Sequence, residues 1–164
     1  MVFPIIIMAA WLLTAIVESV IIYRSVKWYY ENGLIVYRVT GRIASEISIP
    51  INNLFLESLP QDAYYPKLIF QKLEENKFSL REKYFTLKLN YPPVMRGTVI
   101  FDYDNKTVNL IGFLNVFPLL YFICILIIVP VLSVIILPIA LLFLYIFYNI
   151  QCKRFNRIFD KLTV

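Results

Sequence analysis

The chain has 164 residues, 60% of them hydrophobic and 16% charged, with a mean hydropathy of +0.70 and a formal net charge of +5 at pH 7. This composition is more apolar and less charged than that of ordinary soluble domains, so it predicts a membrane protein. The basic residues between positions 24 and 115 are interleaved with acidic ones and form no dense stripe, which argues against nucleic acid as a partner.

Residues 1–23 form an apolar segment with one charged side chain, that of Glu18. The segment has about the 20 residues needed to cross a bilayer and lacks the basic start of a secretory signal, so it predicts a retained transmembrane helix. Arg24 and Lys27 follow directly, which predicts an outside N-terminus and a cytoplasmic middle domain in a bacterial inner membrane. Glu18 is expected either to pair with a cation on another membrane helix or to reach the lipid headgroups.

The segment 24–115 alternates apolar and polar residues over most of its strand-like runs, which predicts a small antiparallel β-rich domain with one helix. Asn32-Gly33 favours a two-residue hairpin turn, and Thr40-Gly41 permits a second turn. The helix is predicted over Pro66–Lys77, with proline in its first turn. The predicted strands are Trp28–Glu31, Leu34–Val39, Ile43–Ile49, Phe85–Tyr91 and the two arms of a hairpin over Thr98–Ile111.

The opening of this domain, WYYENGLIVYRVTGRIASEISIPINNLFLE (Trp28 to Glu57), combines a tyrosine-led strand, a turn ending in Gly-Leu, a second glycine-containing turn and a strand end of sequence IPI. In these features it resembles the opening of bacterial PH-like membrane domains. The residues that carry the resemblance are Tyr30, Gly33, Leu34, Gly41, Ile49, Pro50 and Ile51. The resemblance implies a small barrel near lipid headgroups that serves as an interaction module, and it implies no catalytic residue.

Residues 116–148 contain no charged side chain. This segment is longer than one bilayer crossing and shorter than two. Pro130 and Pro138 each remove a helix hydrogen bond, and the basic tail favours the side of the membrane where Arg24 lies. We therefore predict a transmembrane or re-entrant helical hairpin that bends between Pro130 and Ser133. A single kinked, strongly tilted helix is the alternative.

The tail, residues 149–164, has the pattern of a short basic amphipathic helix. Its apolar face consists of Phe155, Ile158, Phe159 and Leu162, and its basic face of Lys153, Arg154, Arg157 and Lys161. We expect these cations to lie among anionic lipid headgroups on the inner leaflet. Docking to a protein partner is the alternative.

Residues that commonly carry chemistry are scarce in this sequence. It has no histidine, its four glycines stand singly and form no phosphate-binding loop, and Cys124 and Cys152 lack metal-ligand spacing. The sequence therefore predicts no catalytic residue, no metal site and no cofactor, and we expect a protein that is not an enzyme.

The predicted fold class is membrane α+β. It comprises a transmembrane helix (1–23), a cytoplasmic β-rich domain (24–115), a helical hairpin (116–148) and an amphipathic tail helix (149–164). The absence of chemistry favours a non-catalytic accessory or scaffold subunit of a larger membrane complex, with membrane lipids and other membrane-protein subunits as partners. Two alternatives remain: a lipid-binding or membrane-shaping protein that uses the hairpin and the basic tail, and a pore or transporter component.

Overall fold

The computed structural model describes residues 2–24, 26–45, 47, 51–59, 67–83, 94–116 and 130–163. Within them the chain forms four helices and five strands. The helices are α1 (Val2–Tyr23), α2 (Lys27–Glu31), α3 (Asn53–Ser58) and α4 (Pro130–Leu162). The strands are β1 (Ile35–Arg42), β2 (Leu68–Glu74), β3 (Lys77–Glu82), β4 (Met95–Asp102) and β5 (Thr107–Leu114).

The five strands form one antiparallel sheet in the order β1-β5-β4-β3-β2. The hairpin of β4 and β5 is the one that the sequence predicts over Thr98–Ile111. In its turn Lys106 adopts a φ of 50°, and the Asp102 carboxylate accepts hydrogen bonds from Asn105 N (3.0 Å) and Nδ2 (2.8 Å). The Asn105 bonds hold the pKa of Asp102 below its usual value.

The main core lies between one face of this sheet and the second half of α4. Its fully buried strand residues include Phe78, Leu80, Val99, Phe101, Val108 and Leu110, and α4 contributes Phe155, Ile158, Phe159 and Leu162. Gly97 and Gly112 are neighbours in β4 and β5, and a Cβ on Gly97 would lie 2.9 Å from the Phe155 ring. These glycines let the ring approach the sheet closely. Because burying an aromatic side chain contributes about 1.5–3 kcal/mol, the end of α4 is an integral part of the fold.

The opposite face of the sheet is partly covered by α2. Tyr29 and Tyr30 are buried and pack with Ile22 at the end of α1. The Thr98 hydroxyl donates to the Tyr30 carbonyl at 2.7 Å, which connects α2 to β4. The last turns of α1 are therefore anchored to the sheet through α2.

The start of the β-rich domain differs from the prediction. The structure has helix α2 where the sequence predicts a strand at Trp28–Glu31, and β1 runs without a turn through Thr40-Gly41. A type I′ hairpin turn needs positive φ at both central residues. Asn32 has φ −123°, and only Gly33, at 149°, is positive. The segment before Gly33 therefore does not enter a hairpin.

The predicted helix Pro66–Lys77 is also wrong. Its described part contains β2, which pairs with β3 so that Phe70 lies opposite Leu80. The spacing of Ile69, Phe70 and Leu73 fits a helix as well as a strand, and short apolar segments are ambiguous in this way. Pairing with β3 stabilises this segment as a strand, and the spacing of residues in the sequence does not reveal that pairing.

One unbroken helix, α4, occupies the end of the chain, so the predicted bend at Pro130–Ser133 and the separate tail helix are wrong. Pro130 and Ser133 both lie within α4, whose described range is Pro130–Leu162. Pro138 lies inside the helix without ending it. In the parts of the chain that the structure describes there is thus no helical hairpin.

Over the described residues, no helix has a stretch both long enough and apolar enough to cross a membrane. This finding contradicts the predicted membrane fold class, the transmembrane helix over 1–23, the spanning hairpin over 116–148 and the integral location in a bacterial inner membrane. In the structure each of the two helices is attached to the β-rich domain at its C-terminal end. Ile22 is buried against α2, and α4 continues into the main core.

Some predicted features lie outside the described residues. They are the strand Phe85–Tyr91, the hairpin arm 118–129, Cys124, and Ile49 and Pro50 of the PH-like resemblance. The resemblance itself stays a prediction.

Candidate functional site

Arg96 in β4 is a buried cation held by backbone carbonyls. It is 2% exposed. Its Nε donates to the Tyr29 carbonyl (2.9 Å), its Nη1 to the Leu114 carbonyl (2.7 Å) and its Nη2 to the Asn32 carbonyl (2.7 Å). The guanidinium carbon also lies 3.5 Å from the centre of the Tyr29 ring. Burial lowers the pKa of Arg96 to about 10, and the charge of Glu18 opposes this shift.

Glu18 of α1 lies near this arginine, and its charge raises the pKa of Arg96. Its carboxylate is 5% exposed and accepts hydrogen bonds from the Tyr29 hydroxyl and from Val116 N, the latter at 2.6 Å. The one charged side chain of the first apolar segment is thus bound by α2 and by the residue after Asn115.

A cavity of about 350 Å³ opens beside Arg96. Its lining is mostly apolar and includes Trp28, Leu34, Leu114 and Val116. Trp28 is 68% exposed and stands at its edge. Because the guanidinium of Arg96 is directed to backbone carbonyls, the cavity presents little charge to a bound molecule. The arrangement suits apolar contact.

Gly33 lies against the Arg96 guanidinium, which three backbone carbonyls bind. A side chain at position 33 would disturb these contacts. The φ of Gly33, 149°, is one that other residues rarely adopt, and a Cβ would lie 2.7 Å from Arg96 Nη2. We expect Gly33→Ala to lower the free energy of unfolding by about 1–3 kcal/mol, measured by urea denaturation. Ser45→Ala, at an exposed turn, serves as the control and should change it by less than about 0.5 kcal/mol. Equal losses of unfolding free energy for the two variants would contradict the close contact between Gly33 and Arg96.

A second buried polar cluster connects α4 to β3 and β4. Arg154 forms an ion pair with Glu82, and their side chains are 5% and 7% exposed. One turn earlier, Gln151 Oε1 accepts hydrogen bonds from Val94 N (3.2 Å) and Met95 N (2.9 Å). Arg154 therefore lies in the interior, unlike the lipid-facing position that the sequence predicts for it.

The other predicted site residues are spread along α4. Lys153, Arg157 and Lys161 are exposed on its surface. Pro138 is exposed within the helix, and the side chains of Pro130 and Ser133 lie outside the described part of the structure. The structure therefore brings the predicted site residues together only as members of one helix, with Glu18 elsewhere on α1.

Helices α1 and α4 expose many large apolar side chains. On α1 the side chains of Ile6, Leu12, Leu13, Ile16, Val17 and Val20 are 48% to 62% exposed. On the first half of α4 those of Ile139, Leu141, Leu142, Phe143, Tyr145 and Ile146 are 41% to 63% exposed. We call these two sets the apolar helix surfaces. Large exposed apolar patches commonly mark interaction sites.

The buried polar contacts of Arg96, Glu82 and Gln151 cannot be recognised from the sequence. The partners of Arg96 lie up to 67 residues away along the chain, and Glu82 is 72 residues from Arg154. No local spacing marks such pairs. The apolar character of α1 and α4 was the one available signal, and it does not tell what those helices contact.

Among the described residues, no group of three or more His, Cys, Asp or Glu side chains is placed to hold a metal ion. No protein-family model, curated protein or solved structure matches the chain. Any functional interpretation therefore depends on the geometry of this chain alone.

Proposed function

We propose that this protein is a non-catalytic accessory or scaffold subunit that binds other protein subunits through its apolar helix surfaces. The observation that carries the proposal is the exposure of large aliphatic and aromatic side chains along α1 and the first half of α4. The cores of stable protein interfaces are rich in such residues and poor in charge. The partner that fits best is therefore a protein with apolar helices of its own.

The charges near these surfaces support the same proposal. Glu18 is the one charged residue between 2 and 23, and its carboxylate is bound by Tyr29 and Val116. The described surface of α1 therefore carries no ionised group that a partner would have to desolvate, which removes a cost of several kcal/mol.

The proposal predicts stoichiometric co-purification that depends on α4. In cells that naturally make the protein, mild cross-linking and native mass spectrometry should recover it with at least one other subunit. The double variant Leu142→Asn and Phe143→Ser should lose about 90% or more of that subunit, because truncating central apolar residues of an interface costs 1.4 kcal/mol or more. Its free energy of unfolding should fall by less than about 1 kcal/mol, since both side chains are more than half exposed.

The matched control is Lys153→Gln, an exposed change on the same helix, which should retain the partner. Recovery of the wild-type protein as a lone monomer would contradict the proposal. So would a partner that the double variant binds as well as the wild type does.

Lipid binding through the tail remains an untested alternative. It would depend on Lys153, Arg157 and Lys161, since Arg154 is paired with Glu82 in the interior. Anionic vesicles added in the same experiment distinguish it from protein binding. A pore or transporter component also stays an untested prediction, and no contact among the described residues favours it.

A further inference from the structure

Two lysines face each other at the end of the sheet where β2 begins and β3 ends. Lys83 N donates to the Lys67 carbonyl at 2.7 Å, one residue beyond the pair of Leu68 and Glu82, so the two lysines continue the antiparallel register. Residues that pair in this way have Cα atoms about 5.5 Å apart and side chains on the same face. Both lysines are exposed. Because like charges in facing positions repel each other, this pair costs stability unless an anion lies beside it.

Arg81 in β3 is a buried cation on the same face of the sheet as these lysines. Its neighbours Leu80 and Glu82 lie on the α4 side, and the Arg81 side chain extends the other way, to the end of α1. Its Nη2 donates to the Tyr23 carbonyl at 3.3 Å and its Nη1 to the Glu82 carbonyl at 3.5 Å, and both distances are long for hydrogen bonds. The residue is 9% exposed, and its Nε has no hydrogen-bond partner. Arg81 therefore has donors that the fold does not use.

We call Lys67, Arg81 and Lys83 the basic cluster. Arg24, which is exposed, follows Tyr23 directly and adds a fourth positive charge beside Arg81. The carbonyl end of α1 also lies there, but a helix end supplies only about half an elementary negative charge. An arginine side chain stays protonated in proteins. The helix end therefore balances only a part of the positive charge.

The acidic side chains of the neighbouring elements are bound elsewhere. Glu82 lies on the α4 side of the sheet with Arg154. Glu74 pairs with two lysines at the other end of β2, about 23 Å from Lys67 along an extended strand. The Glu18 carboxylate is bound by α2 and the residue after Asn115. Over the ranges that the structure describes, no ion pair reaches the basic cluster.

We propose that the basic cluster binds a phosphate-type oxyanion. The ammonium groups of Lys67 and Lys83 would contact it from two sides, and the Arg81 guanidinium would donate in exchange for its two long bonds to carbonyls. Arginine forms bidentate, charge-assisted hydrogen bonds with phosphate, which are stronger than those with a neutral carbonyl. A phosphate group carries about 1.5 to 2 negative charges at pH 7, so it balances several cations better than one carboxylate does. Soluble phosphate compounds and lipid headgroups share this chemistry, and the experiments below distinguish them.

The first experiment measures urea unfolding of the full chain at increasing concentrations of inorganic phosphate, with sodium chloride keeping the ionic strength constant. A ligand that binds only the native state raises the free energy of unfolding with its concentration, which gives its Kd. Phosphate also stabilises proteins in general by exclusion from their surfaces. This general effect is the same for wild type and variants, so the difference between them reports the site.

The decisive variant is Lys67→Gln with Lys83→Gln, which alters two exposed side chains. We expect it to weaken phosphate binding by about tenfold or more. Its matched control is Lys72→Gln with Lys153→Gln, which removes the same two charges from exposed positions outside the cluster. Lys72 lies on β2 as well, but alternation along the strand places it on the α4 side. The control should bind within about twofold of wild type. Equal affinities of the decisive variant and wild type would overturn the proposal.

Arg81→Met tests the buried member of the cluster. The change removes the charge and the guanidinium donors, so we expect it to weaken phosphate binding by about tenfold or more. Wild-type affinity in the folded variant would overturn the proposal, because the arginine would then take no part in the site. If this variant does not fold, the pair of exposed lysines still decides.

Vesicles separate the two sources of the phosphate group. The wild type is floated in phosphate-free buffer with vesicles of phosphatidylglycerol or of phosphatidylcholine. Co-flotation with phosphatidylglycerol alone that is lost in the double lysine variant supports the site and identifies a headgroup. Stabilisation by free phosphate without this co-flotation supports the site and identifies a soluble compound. No response to free phosphate or to phosphatidylglycerol, or equal responses of wild type and the double lysine variant, would overturn the proposal.

The basic cluster lies apart from the apolar helix surfaces, and no variant here alters them. A negative result would therefore leave the proposed function intact. Failure of partner co-purification, in turn, would leave phosphate binding unaffected.

Discussion

Arg154→Met is expected to lower the free energy of unfolding by about 3–5 kcal/mol, because Glu82 then loses the guanidinium that balances its charge in the interior. The measurement is urea denaturation followed by circular dichroism. Replacing both partners, Glu82→Leu with Arg154→Met, should recover most of the loss, since a buried ion pair is often replaced by apolar side chains without net cost. The ion pair connects α4 to β3, so its loss acts on the whole sheet.

Lys153→Met is the matched control for this experiment. Lys153 precedes Arg154 on α4 but is exposed, so its replacement should change the free energy of unfolding by less than about 0.5 kcal/mol. A loss below about 1 kcal/mol for Arg154→Met would mean that the end of α4 does not lie in the interior.

Phe155→Ala is expected to lower the free energy of unfolding by about 3–5 kcal/mol, through lost burial and the cavity left above Gly97 and Gly112. The ring is 2% exposed and lies between the two glycines and Tyr37, with ring centres 6.1 Å apart in the last pair. Thermal and urea denaturation measure the loss.

Phe143→Ala, on the same helix, provides the comparison. Phe143 is 53% exposed, so its truncation removes little from the core and should cost less than about 1 kcal/mol. Similar losses for the two variants would show that both halves of α4 have the same surroundings, contrary to the structure described above.

The amphipathic pattern of the tail identified the correct helix faces but not what covers them. Phe155, Ile158, Phe159 and Leu162 lie on one side of α4, as their spacing indicates, and that side is buried against the sheet. The basic side is only partly exposed, because Arg154 reaches Glu82. A periodic pattern shows that one face is apolar, and long-range contacts decide what that face meets.

The β-rich domain was predictable where local signals and pairing agree. β4 and β5 alternate apolar with other residues and have a polar turn between them, so their hairpin could be predicted from the sequence. Asn32-Gly33 gave a misleading signal, because the buried tyrosines of α2 and the carbonyl bonds of Arg96 stabilise a helical turn there. For β2 the sequence was ambiguous, and its partner β3 settled the conformation.

The candidate interaction site was only half predictable. The apolar residues of α1 and α4 stand out in the sequence, and the structure exposes a large part of them. Their interpretation as membrane spans failed because hydropathy reports the character of a segment and not its surroundings.

Because α4 is unbroken, the rotation of its first half about the helix axis is fixed relative to its second half. The helix is about 50 Å long, and each residue turns it by about 100°. Phe155 sets its rotation against the sheet, so the direction in which Leu142 and Phe143 point is set as well. A single residue inserted between Ile146 and Gln151 would swing that direction through more than a quarter of a circle. The spacing between the two halves of the helix therefore specifies the orientation, relative to the sheet, in which a protein bound to the exposed half would be held.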